Sequence, residues 1–109
     1  MEQLTIKKMQ QMQAELQEKY KSIWGGLSPE KSKEMMLWLY GELGEASDVI
    51  KKNGIDKVLQ QGSEARANFI EEMCDVLMYF NDLLICFNVT PEEFESAYKN
   101  KFNKNLKRW

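Results

Sequence analysis

Two short stretches of this chain carry paired acids at helical spacing: Glu42 and Glu45 in "LYGELGEASDVI", and Glu72 and Asp75 in "FIEEMCDVLMYF". On a helix, residues three apart lie about 60° apart around the axis and one turn along it, so each pair points one way. Two such pairs on adjacent core helices would bring four carboxylates into one concave spot, which is untenable without a cation or protonation. Hard oxygen donors select magnesium, manganese or calcium over zinc or copper. Taken alone, Glu42 and Glu45 read as a solvated helix face. Glu72 and Asp75 interrupt a run that is apolar nearly all round, where unpaired acids are costly, and that weighs the pattern towards a metal site.

What the chain lacks narrows the chemistry. With no histidine among 109 residues, a Ser-His-Asp or Cys-His centre and a Glu-x-x-His iron site are excluded. Acid-base work must then rest on carboxylates, lysine, tyrosine or metal-activated water. A formal net charge of -2 argues against a protein that binds a nucleic-acid duplex, which would carry a strongly basic face. Neither an export signal nor a membrane-spanning apolar run is present, so the expectation is a cytoplasmic protein with no membrane partner. Cys74 and Cys86 fall more than three helical turns apart and are expected as buried free thiols rather than a disulfide.

The elements that must position the acids are all helical, and the length suits a single domain over residues 1–109. Met9, Met12, Leu16, Tyr20 and Ile23 form an amphipathic stripe, predicting a first helix over about Gln3 to Ile23. "WGGLSPE" breaks it and offers Ser28 as N-cap with Pro29 in the first turn of a second helix. That helix should run to Lys51 or Lys52 and end at Asn53 and Gly54. Gly41 and Gly44, one turn apart inside it, suggest close approach by another backbone or a ligand. A short helix is expected between Ile55 and Asn68. Phe69 to Phe87 reads as a central helix buried on several sides. Thr90, Pro91 and Glu93 then form a capping box for a last helix with Phe94, Tyr98, Phe102 and Leu106 on one stripe. The predicted fold is an all-α, four-helix bundle-like protomer.

With these residues in place, the chain resembles a known family. "GELGEASD" and "EEMCDVLMYF", with 26 residues between Glu45 and Glu72, resemble the E-x-x-E…E-x-x-D pattern of the MazG-like all-α nucleoside triphosphate pyrophosphohydrolases. That superfamily includes dimeric dUTPases and dCTP pyrophosphatases, and the similarity spans about Trp24 to the C terminus. The resemblance implies a magnesium-dependent hydrolase, with manganese as a possible substitute. It would cleave between the α and β phosphates to give a nucleoside monophosphate and pyrophosphate, in a nucleotide-pool cleaning role. By position, Glu42, Glu45, Glu72 and Asp75 would be the catalytic metal ligands. Gly41 stands where many MazG proteins have a further glutamate; the lone-glutamate spelling resembles the dCTP pyrophosphatase branch.

The same resemblance assigns substrate contacts. "YKNKFNKNLKRW" places Lys101, Asn105 and Arg108 on one helical face and matches the family's K-x-x-x-N-x-x-R string, implying a grip on the triphosphate. A cationic last turn also suits the helix dipole without any ligand. Tyr79, one turn after Asp75, matches a substrate-contacting tyrosine. Trp24 would stack on a base, although a tryptophan that caps the core fits equally well. Trp38 and the methionines read as core or subunit contact. Asp48 and Glu71 are candidates for the group that takes the water proton. The central helix has more apolar faces than three neighbours can cover, so a homodimer or tetramer is expected. The alternative is a non-catalytic helical protein-interaction module. A calcium-binding module ranks last, because the EF-hand loop is missing.

Overall fold

A computed structural model describes residues 2–108, and every regular element among them is a helix. Four are long: α1 (Ile6–Lys19), α3 (Ser32–Asn53), α5 (Glu64–Cys86) and α6 (Pro91–Arg108). Two are short, α2 (Lys21–Trp24) and α4 (Ile55–Leu59), and a 3-10 turn at Pro29–Lys31 leads into α3.

The starts and stops follow side-chain chemistry. Thr5 Oγ1 accepts from the Lys8 amide at 3.1 Å and opens α1 three residues later than its apolar stripe suggests. Tyr20 then breaks the first helix, so Ile23 and Trp24 belong to α2. Gly25, at φ +84°, ends α2 in the left-handed region that glycine adopts without strain. Ser28 makes no side-chain cap bond; Pro29 instead starts the 3-10 turn. α3 ends at Asn53, and Gly54 follows at φ +86°. α5 begins five residues before Phe69, because Ser63 Oγ accepts from the Arg66 amide at 3.0 Å. Ser63 Oγ also donates to the Lys57 carbonyl, and Arg66 Nη1 donates to that of Val58, which ties α4 to the start of α5. At the other end, Thr90 Oγ1 accepts from the Glu93 amide and caps α6 as its spacing predicts.

α3 lies along α5 as the most extensive pairing in the chain, and α1 crosses α5 on another side. α6 turns away from α5 by 112° and has α1 as its backbone neighbour. No single helix among the described residues is long and apolar enough to cross a membrane.

The interior differs from the expected one. The buried residues are Ala46, Ala65 and Cys86 together with the polar Gln13, Asn81 and Asp82. Large apolar residues stay open to solvent on α3 (Leu37, Trp38, Tyr40), on α5 (Ile70, Met73, Leu77, Met78) and on α6 (Tyr98, Phe102, Leu106). The central helix is therefore not enclosed within one chain, and beyond Phe94, which packs edge-on against Phe80, the α6 stripe is not covered. Cys86 is buried as expected, but Cys74 is exposed, in an open groove between α1 and α5; both are free thiols. Gly41 and Gly44 have nothing within 4 Å of the Cβ they lack, so the predicted close approach does not occur inside the chain.

The consequence is an open molecule. Its accessible surface is 8526 Å², against about 6,300 Å² for a compact monomer of 12.8 kDa. Its radius of gyration is 16.3 Å, against about 13 Å for a compact chain of this length.

Candidate functional site

The α3–α5 pairing turns the two acid motifs towards each other. One carboxylate oxygen from each of Glu42, Glu45 and Glu72 lies within 4.8 Å of the others. Glu42 and Glu72 are half-buried, and Glu45 is exposed. Oε2 of Glu42 and Oε2 of Glu72 are both shielded from water and lack a hydrogen-bond partner. Two ionised carboxylates can only accept, so their approach is repulsive until a proton or a cation enters.

The titration behaviour follows. Burial, reinforced by the closeness of the Glu72 and Glu45 carboxyls and by the charges of Glu45 and Asp75, raises Glu42 from an ordinary 4.5 to about 7. For Glu72 the largest influence is the neighbouring Glu42 carboxyl, whose proton it can accept and which lowers it. The nearby Glu45 carboxyl, burial and the charges of Glu45 and Asp75 together outweigh that and leave Glu72 raised. Without a cation, a proton held by Glu42 and shared with Glu72 relieves the cluster.

A divalent ion suits the same donors. Oxygen ligands at about 2.1 Å from magnesium sit roughly 3 to 4 Å apart, so oxygens within 4.8 Å need only a small closing movement. Asp75 is outside this tight trio, yet its charge acts on both Glu42 and Glu72. Asp48 and Glu71 are exposed and outside the trio.

Beside the trio lies a cavity of about 590 Å³, within the range of small-molecule sites. Glu42 and Asp75 form the acidic end nearest the trio, Tyr79 lies one turn beyond Asp75, and Lys31 and Glu34 line the wall beside Trp24. Burial, followed by the charges of Glu42 and Asp75, raises the Tyr79 hydroxyl, which therefore stays protonated as a donor. Trp24 and Trp38 supply aromatic surface. Trp24 stacks on Tyr20 with ring centroids 4.7 Å apart, and its carbonyl accepts from Lys31 Nζ at 3.1 Å, so the connection before α3 is latched in place. Trp38, expected in a core or a subunit contact, is in this cavity wall and half exposed.

The rest of the wall had no functional signal in the sequence. Asp82 and Gln13 are buried there. Asp82 Oδ1 accepts from Gln13 Nε2 at 2.9 Å and Oδ2 from Gln17 Nε2 at 3.3 Å. Burial pushes Asp82 up, and these two amide bonds oppose it. Only the i, i+4, i+7 register of Asp75, Tyr79 and Asp82 pointed to a shared face.

Lys101, Asn105 and Arg108 are not in the wall of the cavity. They sit on α6, whose backbone neighbour is α1 rather than the acid-bearing α3 or α5. Asn105 is half-buried, with Oδ1 lacking a hydrogen-bond partner. Compared with known protein families and with curated proteins, the sequence matches none.

Proposed function

We propose that this chain is a magnesium-dependent nucleoside triphosphate pyrophosphohydrolase built on a MazG-like four-helix protomer, converting a (d)NTP to its monophosphate and pyrophosphate. The observation that carries the reading is the convergence of Glu42, Glu45 and Glu72, with two buried unpartnered oxygens, beside a cavity lined by aromatic and polar groups. Acids arranged for stability alone would be paired or solvated.

Glu42, Glu45, Glu72 and Asp75 would hold the divalent ion, manganese being the natural substitute. Bound there, it supplies charge neutralisation on the triphosphate and acidification of water. The remaining work belongs to the chain. Tyr79 donates to the sugar or base, Trp24 offers its ring face to the base, and the cavity walls exclude bulk water. Lys101, Asn105 and Arg108, which lie outside the cavity of their own chain, hold the outer phosphates from a second copy. Water attacks the α phosphorus, and pyrophosphate leaves.

The active form in this reading is a homodimer or a tetramer built from two dimers. An excess of roughly 2,200 Å² of surface over a compact monomer is enough for an obligate interface, which buries about 1,000 to 2,500 Å² per partner. The same apolar surface also favours the second reading, a non-catalytic helical interaction module. That reading leaves the orphaned carboxylate oxygens without a purpose.

A panel of deoxynucleoside triphosphates with magnesium, followed by pyrophosphate release, separates the two. Turnover in oxygen-18 water should place the label on the monophosphate. Orthophosphate as first product, or label on pyrophosphate, would move the attack elsewhere. No turnover of any triphosphate by an assembled, metal-loaded protein would favour the interaction module.

A further inference from the structure

Asp82 is the buried acid that the metal site does not use. It is 2% exposed, yet it lines the same cavity as Glu42, Asp75 and Tyr79. Along α5, Asp75 and Asp82 are seven residues apart on one face, about 10 Å by helical rise. A ligand with its phosphates at the acidic end would therefore present its base to Asp82.

The chemistry of this carboxylate is unusual for a structural role. Gln13 and Gln17 hold one oxygen each, at 2.9 and 3.3 Å, and both are neutral amides that orient the charge without cancelling it. Pinning α1 to α5 requires hydrogen bonds but no charge; an asparagine, with one glutamine amide flipped to accept from it, would serve without the cost of burying an ion. A carboxylate has about four lone-pair sites, so each oxygen keeps capacity for one more donor.

We propose that Asp82 is the specificity-determining residue of the cavity, accepting from the exocyclic amine of a nucleobase. Cytosine, adenine and guanine are then taken in preference to uracil and thymine. Uracil and thymine present a single N–H flanked by two carbonyls, which a buried carboxylate repels. Gln13 and Gln17 are positioning residues. The proposal rests on the reading of the cavity as a nucleotide site, but not on turnover.

Binding is the direct test, read by tryptophan fluorescence with Trp24 and Trp38 in the cavity wall. The intact protein is titrated with dCMP, dUMP and the pyrimidin-2-one deoxynucleotide, which keeps the ring but has hydrogen in place of the amine. The wild type should favour dCMP over both by about tenfold or more. Asp82→Asn should bring the three to within about twofold, chiefly by weakening dCMP, because its amide can both donate and accept. Equal binding of dCMP and the amine-free analogue by the wild type overturns the proposal even if the variant fails to fold. So does a dCMP preference that survives in Asp82→Asn. A base preference without hydrolysis of any triphosphate leaves Asp82 its role and removes the hydrolase reading. Hydrolysis with an unchanged base ratio does the reverse, and no binding of any nucleotide removes both.

Discussion

Glu42 and Glu72 meet across the α3–α5 pairing, each with Oε2 shielded from water and unpartnered. The arrangement costs folding energy in the ionised, metal-free state and becomes favourable when a proton or a cation is shared between them.

The first prediction is the pH dependence of the metal-free protein. A group raised in the fold contributes stability that is fully present below its unfolded value and lost as the pH rises through the folded one. For Glu42 that window runs from 4.5 to about 7, and Glu72, also raised, acts in the same sense. The melting temperature in chelator should fall across this window as the pH is raised. Glu42→Gln, which stays neutral, should flatten the fall, and circular dichroism melts would read it. A metal-free Tm that climbs over this range would contradict the geometry of the pair.

Metal binding supplies the second. A ligand at a hundredfold excess over its Kd stabilises the native state by about 2.7 kcal/mol. Magnesium or manganese should therefore raise Tm by several degrees, most strongly above the pH where Glu42 releases its proton. Glu45→Gln and Asp75→Asn should lose that rise while keeping their helical content. A metal response equal to the wild type in both variants would remove these residues from the site.

Much of this site was legible in the sequence because it depends on local periodicity. Spacing of three on two helices fixes which acids share a face, and α3 and α5 are long enough that small errors at their ends leave Glu42, Glu45, Glu72 and Asp75 in register. The caps at Thr5 and Ser63 were missed: the stripe from Met9 announces a helix without marking its first residue, and Ser63 precedes residues with no such stripe. The inverted interior was not legible either. Apolar residues on every face of α5 indicate that something covers them, but not whether the cover is the same chain. Asp82, Gln13 and Gln17 escaped because their meeting joins residues 65 and 69 positions apart, a contact that periodicity does not encode.

Assembly is the third prediction. Leu37 is 70% exposed on α3, so in a monomer Leu37→Asp should change stability by only about 0.5 kcal/mol. If α3 is an interface, the same change buries a charge against a second copy and should convert a dimer or tetramer to monomer in light scattering. A wild type that is already monomeric at micromolar concentration would leave the apolar faces of α3 and α6 without an occupant.

The last prediction asks which copy supplies the phosphate grip. α6 diverges from α5 by 112°, and Lys101 and Asn105 are outside the cavity wall of their own chain, so in a dimer the string is expected at the partner's acids. Lys101→Ala and Glu72→Gln should each lower hydrolysis alone, the first by losing a charge-assisted contact of about 1.5 to 3 kcal/mol and the second by disabling the metal site. Co-expressed with different tags, the two variants form mixed dimers in which one site combines intact acids from one chain with an intact α6 from the other. Random pairing makes half the dimers mixed with one of two sites whole, so activity should return to about a quarter of wild type. If each chain grips its own substrate, every site in the mixture carries one lesion, and activity stays at the average of the two variants.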